Sequence, residues 1–250
     1  LVIVGGHIDL SVGSVLAFAS AVSAVLVIRM DMPWWVGVLA AIAVGIVVGA
    51  WQGFWVAFVG IPAFIVTLAG MLLFRGLTYL VLDNVSLSPF PADYRNVASG
   101  FLDGLFGEIV VSEGQGLKGV AQTVDVFTLV IGVLAVIGLV VSSLRTRRAR
   151  QSYGQAVESM FLFVLKLVAI SVVLLAFAWA LAYNRGFPWV LIIVAVLILA
   201  YNVVTNRTVF GRHVYAVGGN LAAARLSGVN VKSVNFWIFV NMGFLTGIAA

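Results

Sequence analysis

The sequence predicts an all-α fold, a polytopic bundle of transmembrane helices. Three observations carry this prediction. Of the 250 residues, 63% are hydrophobic and only 9% are charged, against about 25% charged in an ordinary soluble domain. Apolar runs of about 20 residues, enough to cross about 30 Å of hydrocarbon, recur along the chain. The charged residues gather between those runs, basic in two intervals and acidic in a third. No soluble core of this length could bury so much apolar surface, and a disordered chain would have the opposite composition.

The chain opens inside an apolar run, Leu1-Val2-Ile3-Val4, which stops at Gly5-Gly6. The stretch His7-Ile8-Asp9-Leu10-Ser11-Val12-Gly13-Ser14 follows, and a first span is expected over 11–30. Asp9 or Ser11 suits the N-cap of that helix, where a side-chain oxygen accepts orphan amide hydrogens. An acid there is also favoured by the helix macrodipole. Two readings stand: a tight turn with its cap, or a broken helix whose polar groups Asp9, Ser11 and Ser14 line a substrate path. Residues 11 to 28 already cover about 27 Å at 1.5 Å per residue. The turn therefore belongs near the cytoplasmic face unless the helix tilts strongly.

The second span is expected over 34–58. Gly37, Ala41, Gly45, Gly49 and Gly53 recur every four residues along it, and Gly13, Ala17 and Ala21 form a shorter series in the first span. Small residues mark close helix contacts in lipid, or a sliding face in a moving transporter. Trp34, Trp35, Trp51 and Trp55 lie near span ends and suit an interfacial belt. The third span, 61–82, carries Arg75. Spans at 124–144, 160–182 and 187–205 follow, with Lys166 in the fifth. A charge at such depth needs a partner or a water path, or it snorkels to the interface; Asp9 is a conceivable partner for Arg75. The final run, Phe236 to Ala250, reads as too short to span. Both ends are expected to be cut, and no signal peptide is evident.

The charges orient the bundle. Segments 145–150 and 207–232 hold four basic residues each, out of 14, and no acid. Segment 83–125 carries Asp83, Asp93, Asp103, Glu108, Glu113 and Asp125 against Arg95 and Lys118. The positive-inside rule makes 145–158 a basic cytoplasmic loop and 207–232 a second one. One crossing separates the first of these from the acidic stretch, so 83–123 is expected in the periplasm. Two crossings separate the basic loops, which keeps the count consistent.

Several chemistries are missing from the sequence. There is no Gly-x-x-x-x-Gly-Lys-Ser/Thr loop for ATP, and no Gly-x-Ser-x-Gly elbow or His-Glu-x-x-His motif. With no Cys, and with His7 and His213 as the only imidazoles, no metal site is expected. No cofactor and no nucleic-acid partner is expected either, and an enzyme is disfavoured. A stand-alone secondary transporter would carry more acids or His within its spans; Asp9 is the one candidate.

The loop from Thr208 to Val229 has a shape of its own. Gly218-Gly219-Asn220 reads as a turn ending in a good N-cap. Leu221 to Leu226 reads as a short Ala-rich helix, and Gly228 suits its C-cap. A two-turn helix held between glycines suits docking as well as mere connection.

Three stretches resemble signatures of one family: Asp9-Leu10-Ser11-Val12-Gly13-Ser14, Ile61-Pro62-Ala63-Phe64-Ile65-Val66-Thr67-Leu68 leading to Phe74-Arg75-Gly76, and the Phe210-to-Gly228 loop. They fall in order across nearly the whole chain. The family is the membrane-spanning permease of bacterial monosaccharide ABC importers of the ribose/xylose type. His7 stands where ribose-type members usually have Gly, and the arginines at 145–150 look like the xylose and multiple-sugar subgroup. The resemblance implies one permease domain over 1–250, in the bacterial inner membrane, lacking crossings at both ends. It implies a homodimer of permeases, a separate ATPase subunit docked below each copy, and a periplasmic sugar-binding protein above. It makes Gly218 to Gly228 the coupling segment, with Gly218, Gly219, Asn220, Ala223, Arg225, Ser227 and Gly228 in contact with the ATPase. Asp9, Ser11, Ser14 and Arg75 are the expected residues of the substrate path. Permeases for branched-chain amino acids or nucleosides are the nearest alternative.

Overall fold

The computed structural model of the protein describes residues 1–102, 105, 107–112, 122–184 and 186–250. Of the charges expected in the periplasmic segment, Asp103, Glu113 and Lys118 lie outside the described residues. Among the described residues, seven helices are long and apolar enough to cross a membrane. They are α1 (Val12–Arg29), α2 (Trp34–Val59), α3 (Ala63–Leu82), α5 (Val126–Ser152), α6 (Met160–Asn184), α7 (Trp189–Arg207) and α10 (Val231–Ala249). Shorter helices are α4 (Ala92–Ser99), α8 (Val209–Gly219) and α9 (Leu221–Leu226). The fold is the polytopic helical bundle that the composition demands.

The chain forms two compact units, residues 1–95 with 195–250, and residues 96–194. In the first, the last turns of α1 (Val25–Arg29) and α2 (Trp55–Val59) widen into π-helix. Gly60 then reverses the chain with φ +86°. Such a φ is strained for any residue with a Cβ, and Pro62, a residue without an amide hydrogen, leads into α3. The small-residue stripe of α2 is a helix contact. A Cβ on Gly45 would lie 2.2 Å from the Gly243 carbonyl oxygen, and one on Gly49 would lie 2.4 Å from that of Phe239. Gly37 meets α1 instead, at Val27 and Ser23. The shorter series behaves differently: Gly13 and Ala17 face outward, and only Ala21 is buried. At the far ends of α1 and α3, Arg29 pairs with Asp83 at 2.7 Å.

In the second unit α5 and α6 form an antiparallel hairpin, in which a Cβ on Gly132 would overlap Ala178. Asp125 caps α5 by accepting from the Thr128 amide at 2.8 Å. Two short antiparallel pairs complete the unit: β1 (Phe101–Leu102) with β4 (Phe187–Pro188), and β2 (Glu108–Ser112) with β3 (Gln122–Asp125).

Three expectations need correction. The final apolar run belongs to a helix of 19 residues, long enough to span, because α10 starts at Val231. Asn230 caps it by accepting from the Ser233 amide, and the polar first turn with Lys232 and Asn235 hid that start from an apolar count. The arginines at 145–150 occupy the last turns of α5, so the helix runs on to Ser152 and only the stretch after it is loop. Arginine is a good helix former, and cations suit a helix C-terminus. Gly218 and Gly219 are the last helical residues of α8, not a turn.

Candidate functional site

The broken segment before α1 is built by hydrogen bonds. Leu1 and Val2 accept from the amides of Gly5 and His7, and Gly6 turns the chain at φ +80°. Residues 7–10 then run without helix into Ser11, the N-cap of α1. Their polar backbone is met by α3: Leu10 N–H donates to Thr67 Oγ1 at 3.2 Å, and the Thr67 hydroxyl approaches the Ile8 carbonyl at 3.4 Å.

Ser11 sits at the N-cap position, but its hydroxyl does not cap the helix. It donates to Asp9 Oδ1 at 2.6 Å and accepts from Gln52 Nε2 at 2.8 Å. Asp9 also accepts the Ser11 amide at 2.8 Å, so its carboxylate holds both the amide and the hydroxyl of the residue that opens α1. Gln52 is 2% exposed, and Thr67 is fully buried. Gly70 of α3 leaves the room the amide occupies, since a Cβ there would lie 2.5 Å from Gln52 Nε2. Thr246 of α10 closes a void of about 10 Å³ beside Asp9, Ser11 and Gln52, at the lower limit for one water molecule. Buried polar groups in a membrane bundle are held by partners or line a path, and this cluster gathers four helices around one carboxylate.

Of the expected path residues, the structure brings Asp9 and Ser11 together. Ser14 lies a turn further along α1, half-buried and outside the cluster. Arg75 is exposed on α3, eight residues beyond Thr67, or about 12 Å along the axis. Among the described residues it makes no ion pair, and Asp9 is not its partner. Gln52, Thr67 and Thr246 escaped the sequence reading. Their one signal was a glutamine inside an otherwise apolar span. His7 packs its ring 5.7 Å from Phe239, and its Nε2 and the Oδ1 of Asn235 are buried without a hydrogen-bond partner among the described residues. His7 also faces a groove of about 370 Å³ with Gly60, Pro62 and Phe64.

Replacing Gln52 by Leu should cost about 1 kcal/mol of stability, the usual worth of one interhelical hydrogen bond in a membrane protein. Thermal unfolding in detergent measures it. A loss no larger than that of an exposed control, Val47→Ala, would show that the cluster does not hold α2 to α1.

The second candidate region is α8 to α9. Asn220 caps α9 by accepting from the Ala223 amide at 3.0 Å. Gly228 ends it at φ +80°, its amide bonded to the Arg225 carbonyl. Ala224 is buried in a cluster with Val2, Val214, Val217 and Ile238. Gly218 lies so close to the Val4 carbonyl that a Cβ would overlap it. Ala223, Arg225 and Ser227 face outward, and Leu226 is 91% exposed. The sequence reading did not single out Leu226.

The chain matches, over residues 1–250, the family model described as branched-chain amino acid transport system / permease component. It is 34% identical to the xylose transport system permease protein of Haemophilus influenzae, over 99% of this chain and 60% of that protein. With the Escherichia coli K12 protein of the same description it shares 32% identity over 99% of this chain and 58% of that protein. With the ribose import permease protein of Escherichia coli K12 it shares 28%, over 100% of this chain and 53% of that protein. The chain thus spans about 60% of the length of the xylose relatives. No solved structure matches it. A match along its whole length, on a bundle of membrane-spanning helices, places the chain in the branched-chain amino acid transport system / permease component family.

Proposed function

We propose that the chain is the membrane-spanning permease of an ATP-driven monosaccharide importer of the xylose type in the bacterial inner membrane. It forms the translocation path, while ATP is hydrolysed on a separate subunit. The observation that supports this most is the match to the xylose transport system permease protein of Haemophilus influenzae, continuous over 99% of the chain. A homodimer of permeases, an ATPase subunit under each and a periplasmic sugar-binding protein complete the machine. Reconstitution of the intact protein with its ATPase and binding protein in liposomes tests the reading. ATP-dependent accumulation of xylose is the expected result. Accumulation of leucine but no pentose would support the second reading, an amino-acid permease, which the family description favours.

Charge placement supports the orientation. The arginines that end α5 and the α8–α9 segment belong on the cytoplasmic side, and 83–123 belongs in the periplasm. The Asp9 cluster then lies a turn or two in from the cytoplasmic end of the bundle. Asp9 and Ser11, joined by Gln52 and Thr67, are the path residues this reading favours, with Ser14 and Arg75 further along the same helices. Residues 1–250 contain no cysteine, so Arg148→Cys gives one label site within them. It should react with a membrane-impermeant maleimide only after the cells are opened. Full labelling of intact cells would reverse the orientation.

In this reading the segment Gly218 to Gly228 receives the ATPase. Arg225 and Leu226 supply the exposed contact, and Asn220 and Gly228 hold the helix at its two ends. Gly218 and Ala224 pass a displacement of α9 to Val2 and Val4, and so through His7 to Asp9 and Ser11. Gly218 serves by close approach to Val4, not by bending the chain.

A further inference from the structure

The hairpin of α5 and α6 carries a groove that the transport reading does not use. Its walls are one face of each helix, joined by Val157 and Glu158 of the connecting stretch. On α5 the lining residues Leu139, Ser142, Ser143, Thr146, Arg147 and Arg150 recur at helical spacing, and on α6 Phe163, Lys166, Leu167 and Ile170 do the same. The groove holds about 260 Å³. It is graded along its length. The deep end, at Leu139, Leu167 and Ile170, is apolar. Hydroxyls of Ser142, Ser143 and Thr146 come next, and Arg147, Arg150 and Lys166 crown it. From Leu139 to Arg147 the rise is about 12 Å.

The cations are not consumed by acids. Over residues 142–170 there are five Lys and Arg and one acid, Glu158. Glu158 meets Lys166 only at 3.9 Å, with both side chains more than half exposed. Arg147 is held in place by stacking over the Phe163 ring at 4.7 Å. A stacked guanidinium keeps its donors free and fixed for an oxyanion. Lys166, which sequence alone leaves as a snorkelling cation, stands on the wall of the same groove.

We propose that this groove binds the phosphate-bearing headgroup of an anionic phospholipid. The phosphate would meet Arg147, Arg150 and Lys166, the headgroup hydroxyls would meet Ser142, Ser143 and Thr146, and one acyl chain would lie along Leu139, Leu167 and Ile170. Basic pockets between membrane helices take anionic lipid in this way, and the apolar floor distinguishes a lipid from free phosphate. The inference needs α5 and α6 in a membrane, and it is independent of which solute the protein carries.

The test uses the purified intact protein in detergent, titrated with short-chain phosphatidylglycerol, short-chain phosphatidylcholine and inorganic phosphate in separate arms. Bound lipid is counted by native mass spectrometry, and thermal unfolding is followed in parallel. Phosphatidylglycerol should bind and raise the unfolding temperature, and phosphatidylcholine should not. Arg147→Ala and Lys166→Ala should each weaken binding about fivefold, which corresponds to about 1 kcal/mol per cation near a membrane surface. Glu158→Gln should tighten it. Arg148→Ala removes the same charge from the same helix but is not among the residues that line this groove, and should change binding less than about twofold. Equal losses in Arg147→Ala and Arg148→Ala would reduce the effect to diffuse charge and overturn the site. Equal binding of the two lipids, or saturation by inorganic phosphate at the concentration where phosphatidylglycerol binds, would overturn the lipid assignment. If Arg147→Ala does not fold, Lys166→Ala and Glu158→Gln decide by themselves.

Discussion

Gly45→Ala should separate α2 from α10 and cost about 3 kcal/mol or more, the upper range for an overpacked core. The same change at Gly76 should be neutral or mildly stabilising. The two substitutions add one methyl to a helix, and intrinsic propensity favours both by about 1 kcal/mol. They differ in what the methyl meets. At Gly76 nothing lies within 4 Å. At Gly45 the Cβ would lie 2.2 Å from the Gly243 carbonyl oxygen and 2.9 Å from the Gly247 amide nitrogen. Both neighbours are backbone, so no side chain can rotate away, and two helix axes must part. In lipid that separation is costly, because close packing is the main adhesive between helices. Gly243→Ala should behave alike, since its Cβ would meet the Gly45 carbonyl at 2.1 Å. Thermal unfolding in detergent measures all three. Equal midpoints for Gly45→Ala and Gly76→Ala would remove this contact from the account of the fold.

That contact shows what a sequence of this kind discloses. A glycine every four residues on α2 announces a packed face, but not its partner, and α10 becomes visible only in three dimensions. The same pattern at Gly13 and Ala17 faces outward, so spacing alone does not separate a packed stripe from an open one. Span positions were legible because hydrocarbon thickness imposes a length. They failed where polar residues open a helix, at Val231 to Asn235, and where arginines prolong one, at α5. The Asp9–Ser11 pair was legible as the polar start of a helix, but its bonding was not, since the Ser11 hydroxyl turns from the helix amides to Asp9 and Gln52. Gln52 and Thr67 were not, because a single amide or hydroxyl in an apolar span gives no spacing to read. Their meaning comes from the carboxylate that the broken segment brings to them. For α9 the reverse holds. Its bounds, Leu221 to Leu226, follow directly from Asn220 and Gly228, yet the role of Gly218 does not, since nothing local reveals that Val4 lies against it.

In the proposed importer, the largest functional effect is expected at α9. Arg225→Glu and Leu226→Asp should each leave insertion and folding intact and abolish ATP hydrolysis stimulated by the loaded binding protein. Folding should survive because both side chains are exposed, and surface changes of this kind usually cost within about 0.5 kcal/mol. Insertion should survive because, in the proposed orientation, the four arginines of α5 remain to favour the cytoplasmic side. Function should fail for two separate reasons. The segment from Arg207 to Lys232 carries four cations and no acid, so it suits an acidic partner surface, and a reversed charge there repels its partner. Leu226, 91% exposed in a segment read as lying outside the membrane, gains about 1.5–3 kcal/mol when it is buried in a partner's pocket. An aspartate there would have to be desolvated instead. The helix has only six residues, too few to stand alone, and it is held at Ala224 by the cluster around Val2. Gly218→Ala therefore offers a different lesion: its Cβ would push the Val4 backbone away and cost stability as at Gly45, but Arg225 and Leu226 are untouched, so in the fraction that folds the ATPase should still bind while the stroke should not reach Val4 and the Asp9 cluster. Co-purification measures docking, and ATP hydrolysis with and without substrate measures coupling. Normal co-purification and normal stimulation in both Arg225→Glu and Leu226→Asp would exclude α9 as the docking element. Full stimulation in Gly218→Ala would exclude the path through Val4 while leaving the docking surface in place.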